Sequence, residues 1–197
     1  MRYILPGMGA SSAMYSGPWR SLENTVFVDW PEMSGEITFA TIASCLIDIH
    51  KINSEDQLVG TSLGGIVAQE ICRQVNCNDI TLISSATKRE EINKFLIAIS
   101  PLSEVTPIQF IQLLAGKSSP ALNELFASVG PEFIRSACQE LRHWEDSYEG
   151  EFNVKRLHGT HDHIIPCPNN VDLKLDGGHL IAMTHAQDCV DFIRNAE

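Results

Sequence analysis

Ser62 stands in the run GTSLGG, between Gly60 and the pair Gly64–Gly65. Glycine gives up more conformational entropy on folding than any other residue. Three of them around one hydroxyl mark a backbone that must turn tightly or be closely approached. The run DQLVGT precedes the serine and LGGIVAQEICRQV follows it, so the spacing predicts a strand, a tight turn and a helix. This is the pattern G-x-S-x-G, in which backbone strain projects the serine above a sheet. The helix N-terminus beneath it offers free N–H groups and partial positive charge.

A serine is a weak nucleophile at neutral pH and needs a base held by a third group. For this turn the chain order is serine, acid, histidine. RLHGTHDHIIP places Asp162 just past one expected strand, and LDGGHLIAM places His179 just past the next. The roles that follow are Ser62 as nucleophile, His179 as general base and then acid, and Asp162 as the group that fixes the His179 tautomer. Taken singly, Asp162 also fits a turn residue and His179 a loop histidine. The three together, in order and at three strand ends, favour the triad. A tetrahedral oxyanion needs N–H donors. The backbone of Leu63, after the nucleophile, is one candidate. Met8, in the loop LPGMGAS after the first strand, is the other.

His158, His161 and His163 crowd around Asp162 and could instead ligate zinc. Their spacing matches no helical H-E-x-x-H pattern, so no metal and no cofactor is expected.

The elements that must position these groups alternate. Strands are expected at 2–6, 25–30, 56–61, 79–86, 152–159 and 171–177, with helices at 36–51, 63–75 and 184–196. Residues 88–147 break the alternation and read as helical throughout, punctuated by Pro101, Pro107, Pro120 and Pro131. Alternating strands and helices imply a parallel sheet covered on both faces. Sites in such sheets form at the carboxyl ends of the strands. The domain reading is a core of 1–87 and 148–197, with a helical lid, 88–147, inserted after the fourth strand. Phe110, Leu114, Phe126 and Trp144 of that lid are the candidates to face a substrate.

A net charge of −11 argues against nucleic acid and anionic membrane surfaces as partners. No apolar run reaches the ~18 residues of a membrane span, and the N-terminal run is too short for a signal peptide. The six cysteines lack a metal spacing and read as free thiols in a reducing, cytoplasmic compartment.

Together these stretches resemble the α/β-hydrolase superfamily, in its small, lidded, serine esterase-like branch. The resemblance covers nearly the whole chain. LVGTSLGGIVAQE is similar to the nucleophile elbow and HGTHDHIIP to the acid turn. PGMGASSAMYSGPW is similar to the loop after the first strand, and GGHLIAM to the histidine loop. Pro6 stands where the family often has His, and the connection from Asp162 to His179 is short. The resemblance implies a minimal sheet of six parallel strands, the second at one edge beside the first. It also implies a hydrolase acting on a carboxylic ester or thioester through an acyl-enzyme. The alternatives are a non-hydrolytic small-ligand receptor on the same fold, and a C–C hydrolase or lyase using the same triad. SLGGIVAQE further resembles acyl-carrier-protein methyl esterases, which makes such a carrier a candidate partner beside a small acyl substrate. The expected lid is no strong basic patch for an acidic carrier.

Overall fold

In the computed structural model, which describes residues 1–93, 129–144 and 152–195, six short apolar runs lie side by side. They are β1 (Arg2–Leu5), β2 (Thr25–Phe27), β3 (Gln57–Thr61), β4 (Asp79–Ile83), β5 (Asn153–Gly159) and β6 (Leu173–Leu175). Their order is β2-β1-β3-β4-β5-β6 and every pairing is parallel. The second strand lies at one edge beside the first, as the minimal sheet requires.

The strand residues divide by parity. Tyr3, Leu5, Leu58, Ile80 and Leu82 face one hydrophobic cluster, while Ile4, Val59, Ile83 and Leu157 face another. Successive side chains on a strand point to opposite faces, so continuous apolar runs bury both. Helices α1 (Phe39–His50) and α2 (Leu63–Val75) cover the first face. Thr38 and Thr41 cap α1 reciprocally, each side chain bonding the other's backbone N–H. The second face is covered by the loop after β1, which carries Tyr15 and Trp19, and by helices α4 (Ile181–Thr184) and α5 (Ala186–Asn195).

Helix α3 (Pro131–His143) begins with proline in its first turn, as expected for Pro131. Its Phe133, Ile134, Ala137 and Cys138 pack into the first cluster, beside Met8. Residues 88–93 include a short 3-10 turn, Arg89–Glu91. The remainder of the expected lid, with Phe110, Leu114 and Phe126, lies outside the described residues. None of the described helices is long and apolar enough to cross a membrane.

The second strand ends at Phe27 rather than at residue 30, the sixth spans only Leu173–Leu175, and the last expected helix is two, α4 and α5, the first beginning at Ile181. Two further expectations are corrected. The fourth strand ends at Ile83, not at residue 86, because Ser84 takes a positive φ of 46° and turns the chain. Cys72 and Cys77 are not free thiols but a disulfide, with Cα atoms 4.6 Å apart. Asn76 adopts the left-handed conformation that ends α2, and the Cys77 N–H donates to the Cys72 carbonyl. That reversal folds residue 77 back over residue 72. Cys45, Cys138, Cys167 and Cys189 are free. With one pair joined, the cysteines no longer point to a reducing compartment.

Candidate active site

The strand β3 delivers Ser62 at the mouth of α2 with φ 53° and ψ −119°. That is a sparsely populated backbone region for a residue with a Cβ, and the surroundings hold it there. The Ser62 N–H donates to the Ile83 carbonyl at 3.0 Å, and the Ser85 hydroxyl donates to the Ser62 carbonyl at 2.7 Å. The glycines make the turn possible by close approach. A Cβ on Gly60 would collide with the backbone of Gly64 and Gly65, one on Gly64 with the Pro6 and Leu5 carbonyls, and one on Gly65 with the Ser85 side chain.

Asp162 follows β5 in a turn closed by its own N–H to the Gly159 carbonyl. His179 follows β6. The two loops meet because Gly159 has no side chain; a Cβ there would strike the carbonyls of Gly177 and Gly178. The His161 N–H donates to the Gly177 carbonyl at 2.9 Å and ties the loops further.

The three side chains form one hydrogen-bonded line. His179 Nδ1 lies 2.8 Å from Asp162 Oδ2, and His179 Nε2 lies 2.9 Å from Ser62 Oγ. A carboxylate only accepts, so Nδ1 carries the proton. Nε2 is left to accept from the serine hydroxyl. Asp162 Oδ1 accepts from the N–H groups of Ile164 and Ile165 at 2.9 and 3.0 Å. Burial pushes the Asp162 carboxyl up, but hydrogen bonds from His158 and His179, with the Ile165 N–H, outweigh it and hold the carboxyl well below its usual range. Asp162 is therefore an anion at neutral pH. Asp176, the other nearby carboxylate, is exposed and paired with His161 at 2.8 Å.

The loop after β1 runs close to the serine: a Cβ on Gly7 would sit 3.8 Å from Ser62 Cβ. Gly9 has φ 75° and turns the chain there, so that the Ala10 N–H reaches the Gly7 carbonyl at 3.1 Å. The Trp30 indole N–H donates to the same carbonyl at 3.1 Å. The Met8 N–H belongs to that peptide and, in a trans peptide, points opposite to the carbonyl. Among the described residues it donates to no acceptor. Leu63 opens α2, where the first N–H groups have no intrahelical acceptor. Sequence reasoning missed Trp30; nothing in its spacing marks it.

The three clustered histidines do not converge. His158 is buried beneath Asp162, while His161 and His163 are exposed. Among the described residues, no group of three or more His, Cys, Asp or Glu side chains is arranged so that it could hold a metal ion. Trp144 is 4% exposed and packs edge-on against Phe39 in the core.

No family model matches the sequence, and no curated protein matches it. Solved structures match in shape. A lipase-esterase related protein from Clostridium acetobutylicum aligns with TM-score 0.75 over 98% of this chain and 93% of that one, at 14% identity. A thermophilic esterase from Thermogutta terrifontis aligns with TM-score 0.69 over 98% and 88%, at 16% identity. YbtT, a type II thioesterase of the yersiniabactin pathway, aligns with TM-score 0.69 over 98% and 90%, at 19% identity. These matches and the six-stranded parallel sheet lead to one conclusion: the chain has the α/β-hydrolase fold in a minimal form.

Proposed function

We propose that this chain is a serine hydrolase that cleaves a carboxylic ester or thioester through an acyl-enzyme on Ser62. The observation that carries this reading is the line of hydrogen bonds from Ser62 Oγ through His179 to Asp162, begun on a strained turn at the carboxyl end of β3. In the reaction, Ser62 Oγ attacks the acyl carbon while His179 Nε2 takes its proton. The anion of Asp162 stabilises the imidazolium. The N–H groups of Met8 and Leu63 receive the oxyanion, with Trp30 holding the Gly7–Met8 peptide so that the Met8 N–H faces inward. His179 then protonates the departing alcohol or thiol. A water, deprotonated by His179, releases the acyl group.

Residues 88–147 are proposed to cover the cleft. The packing of α3 beside Met8 and Trp30 supports this: the Phe133 ring lies tilted against Trp30 with centroids 5.2 Å apart, and Cys138 touches the Met8 sulfur. A thioester presented on a carrier protein is the second reading, favoured by the shape shared with YbtT and a prodiginine-pathway thioesterase.

The test is fluorophosphonate labelling, paired with p-nitrophenyl esters from acetate to decanoate and the matching acyl thioesters. One label per chain at Ser62, lost with all turnover in Ser62→Ala, is the expected result. Full-rate labelling of Ser62→Ala overturns the assignment.

A further inference from the structure

His158 is the last residue but one of β5 and is fully buried. Its Nε2 lies 2.6 Å from the Ile165 carbonyl oxygen and 3.2 Å from Asp162 Oδ2. Both neighbours only accept, so Nε2 carries a proton and shares it between them. The other ring nitrogen, Nδ1, is buried with no hydrogen-bond partner among the described residues. A proton there would have nothing to bind, and a buried unpaired donor is costly. The geometry therefore selects the neutral ring with its proton on Nε2.

The same carboxylate oxygen, Oδ2, receives the His179 Nδ1 proton at 2.8 Å. Asp162 thus has four donors: two backbone N–H groups on Oδ1 and two histidines on Oδ2. His158 differs from the others in what it fastens. It joins β5 to Ile165, whose own N–H already grips Oδ1, and so closes the acid turn around its carboxylate.

We infer that His158 is a positioning residue for Asp162, a neutral donor that fixes the oxygen on which His179 is aligned. The inference rests on the triad reading above. A neutral donor is what the chemistry requires in this place. A lysine or arginine would bring a second cation to Oδ2 and compete for the charge that must stabilise the His179 imidazolium. An apolar residue would leave Oδ2 held by His179 alone, so acid and base would rotate together. The serine proton would then meet a less well aligned Nε2. The sequence pointed to His158 only as a metal ligand, because a spacing of four residues does not show that the chain turns back between Gly159 and Asp162.

The test compares His158→Leu with His158→Gln, whose terminal amide can reach the same two acceptors. A hydrogen bond to a charged group corresponds to roughly a 10- to 100-fold effect. His158→Leu should lower kcat for a p-nitrophenyl ester by about 10-fold or more, with KM nearly unchanged. His158→Gln should recover most of the loss. The far-downfield proton resonance of the His179–Asp162 hydrogen bond should move in the leucine variant and return in the glutamine variant. That resonance is read without turnover. Failure of wild-type labelling would therefore sink the acyl-enzyme reading while leaving this one measurable. Unchanged resonance and unchanged kcat in folded His158→Leu, with only a lower thermal midpoint, would overturn the inference. Should that variant not fold, nitrogen-15 spectra of the wild type decide. A proton on His158 Nε2 with bare Nδ1 is required, and the opposite tautomer overturns it.

Discussion

The Arg156 guanidinium meets the Glu91 carboxylate as a fork, Nη1 to Oε1 at 2.9 Å and Nη2 to Oε2 at 2.8 Å. Arg156 sits on β5 and is 3% exposed; Glu91 belongs to the turn that leads out of β4. Nη2 also donates to the Ser85 carbonyl at 3.0 Å, and the Ser85 hydroxyl holds the Ser62 carbonyl. The pair therefore links the start of residues 88–147 to the turn that carries the serine.

Removing one partner of such a pair leaves a buried charge uncompensated, at a cost of about 3–5 kcal/mol. Arg156→Met should lose stability of that order in urea unfolding at pH 7. Arg156→Met combined with Glu91→Leu should recover most of it, because paired apolar replacements are often neutral. A single-variant loss under about 1 kcal/mol would show that solvent reaches the pair.

Acid should unfold the protein partly through Glu91. Burial raises this carboxyl, but the hydrogen bonds from Arg156 and the Thr87 N–H, with the nearby positive charges of Arg156 and Lys88, outweigh that and lower it. A group lowered on folding contributes stability that is complete above its unfolded value, about 4.3 for Glu. The contribution drains as pH falls through the folded value. Glu91→Gln should be less stable than wild type at pH 7, and the difference should shrink below about pH 4. A constant difference from pH 7 to pH 3 would contradict the linkage.

Ser62 holds φ 53°. Residues in such regions cost of order 1–3 kcal/mol. Ser62→Gly should therefore be more stable than Ser62→Ala by about 1 kcal/mol, although both lose the nucleophile. Thermal midpoints of the two variants measure this directly. A less stable glycine variant would mean that the turn is relaxed.

Asp162→Asn should reduce kcat by about 10²- to 10⁴-fold, the range set by the triad template. Its amide turns an N–H₂ group toward either the two histidines or the two backbone donors. Turnover within a few-fold of wild type in a folded protein would remove Asp162 as the acid.

Trp30→Phe keeps a ring against Phe133 but deletes the N–H that reaches the Gly7 carbonyl. The Ala10 N–H still holds that carbonyl, so the loss should be partial. We expect kcat to fall about 10-fold with KM little changed, less than the 10²–10³ for removing an oxyanion donor outright. An unchanged kcat would separate Trp30 from the reaction.

The fold was legible where local chemistry is self-sufficient. Gly60, Gly64 and Gly65 announced the turn at Ser62, since each fills a place that excludes a Cβ. The apolar runs announced strands buried on both faces. Legibility stopped where long-range partners decide. Ser84 carries no signal for its positive φ; its N–H finds the Leu157 carbonyl on a strand more than seventy residues away. The Cys72–Cys77 pair depends on how α2 ends at Asn76. Trp30 and His158 each bond a backbone carbonyl oxygen, and such oxygens look alike in every sequence.

The two outer strands, β2 and β6, are only three residues long. An open sheet exposes a row of unpaired amide groups along each border, and a long border is a template for another chain to add to. Here each border presents barely one repeat of the ladder, and exposed Lys174 stands in the middle of β6. Intermolecular strand addition thus finds little to grip.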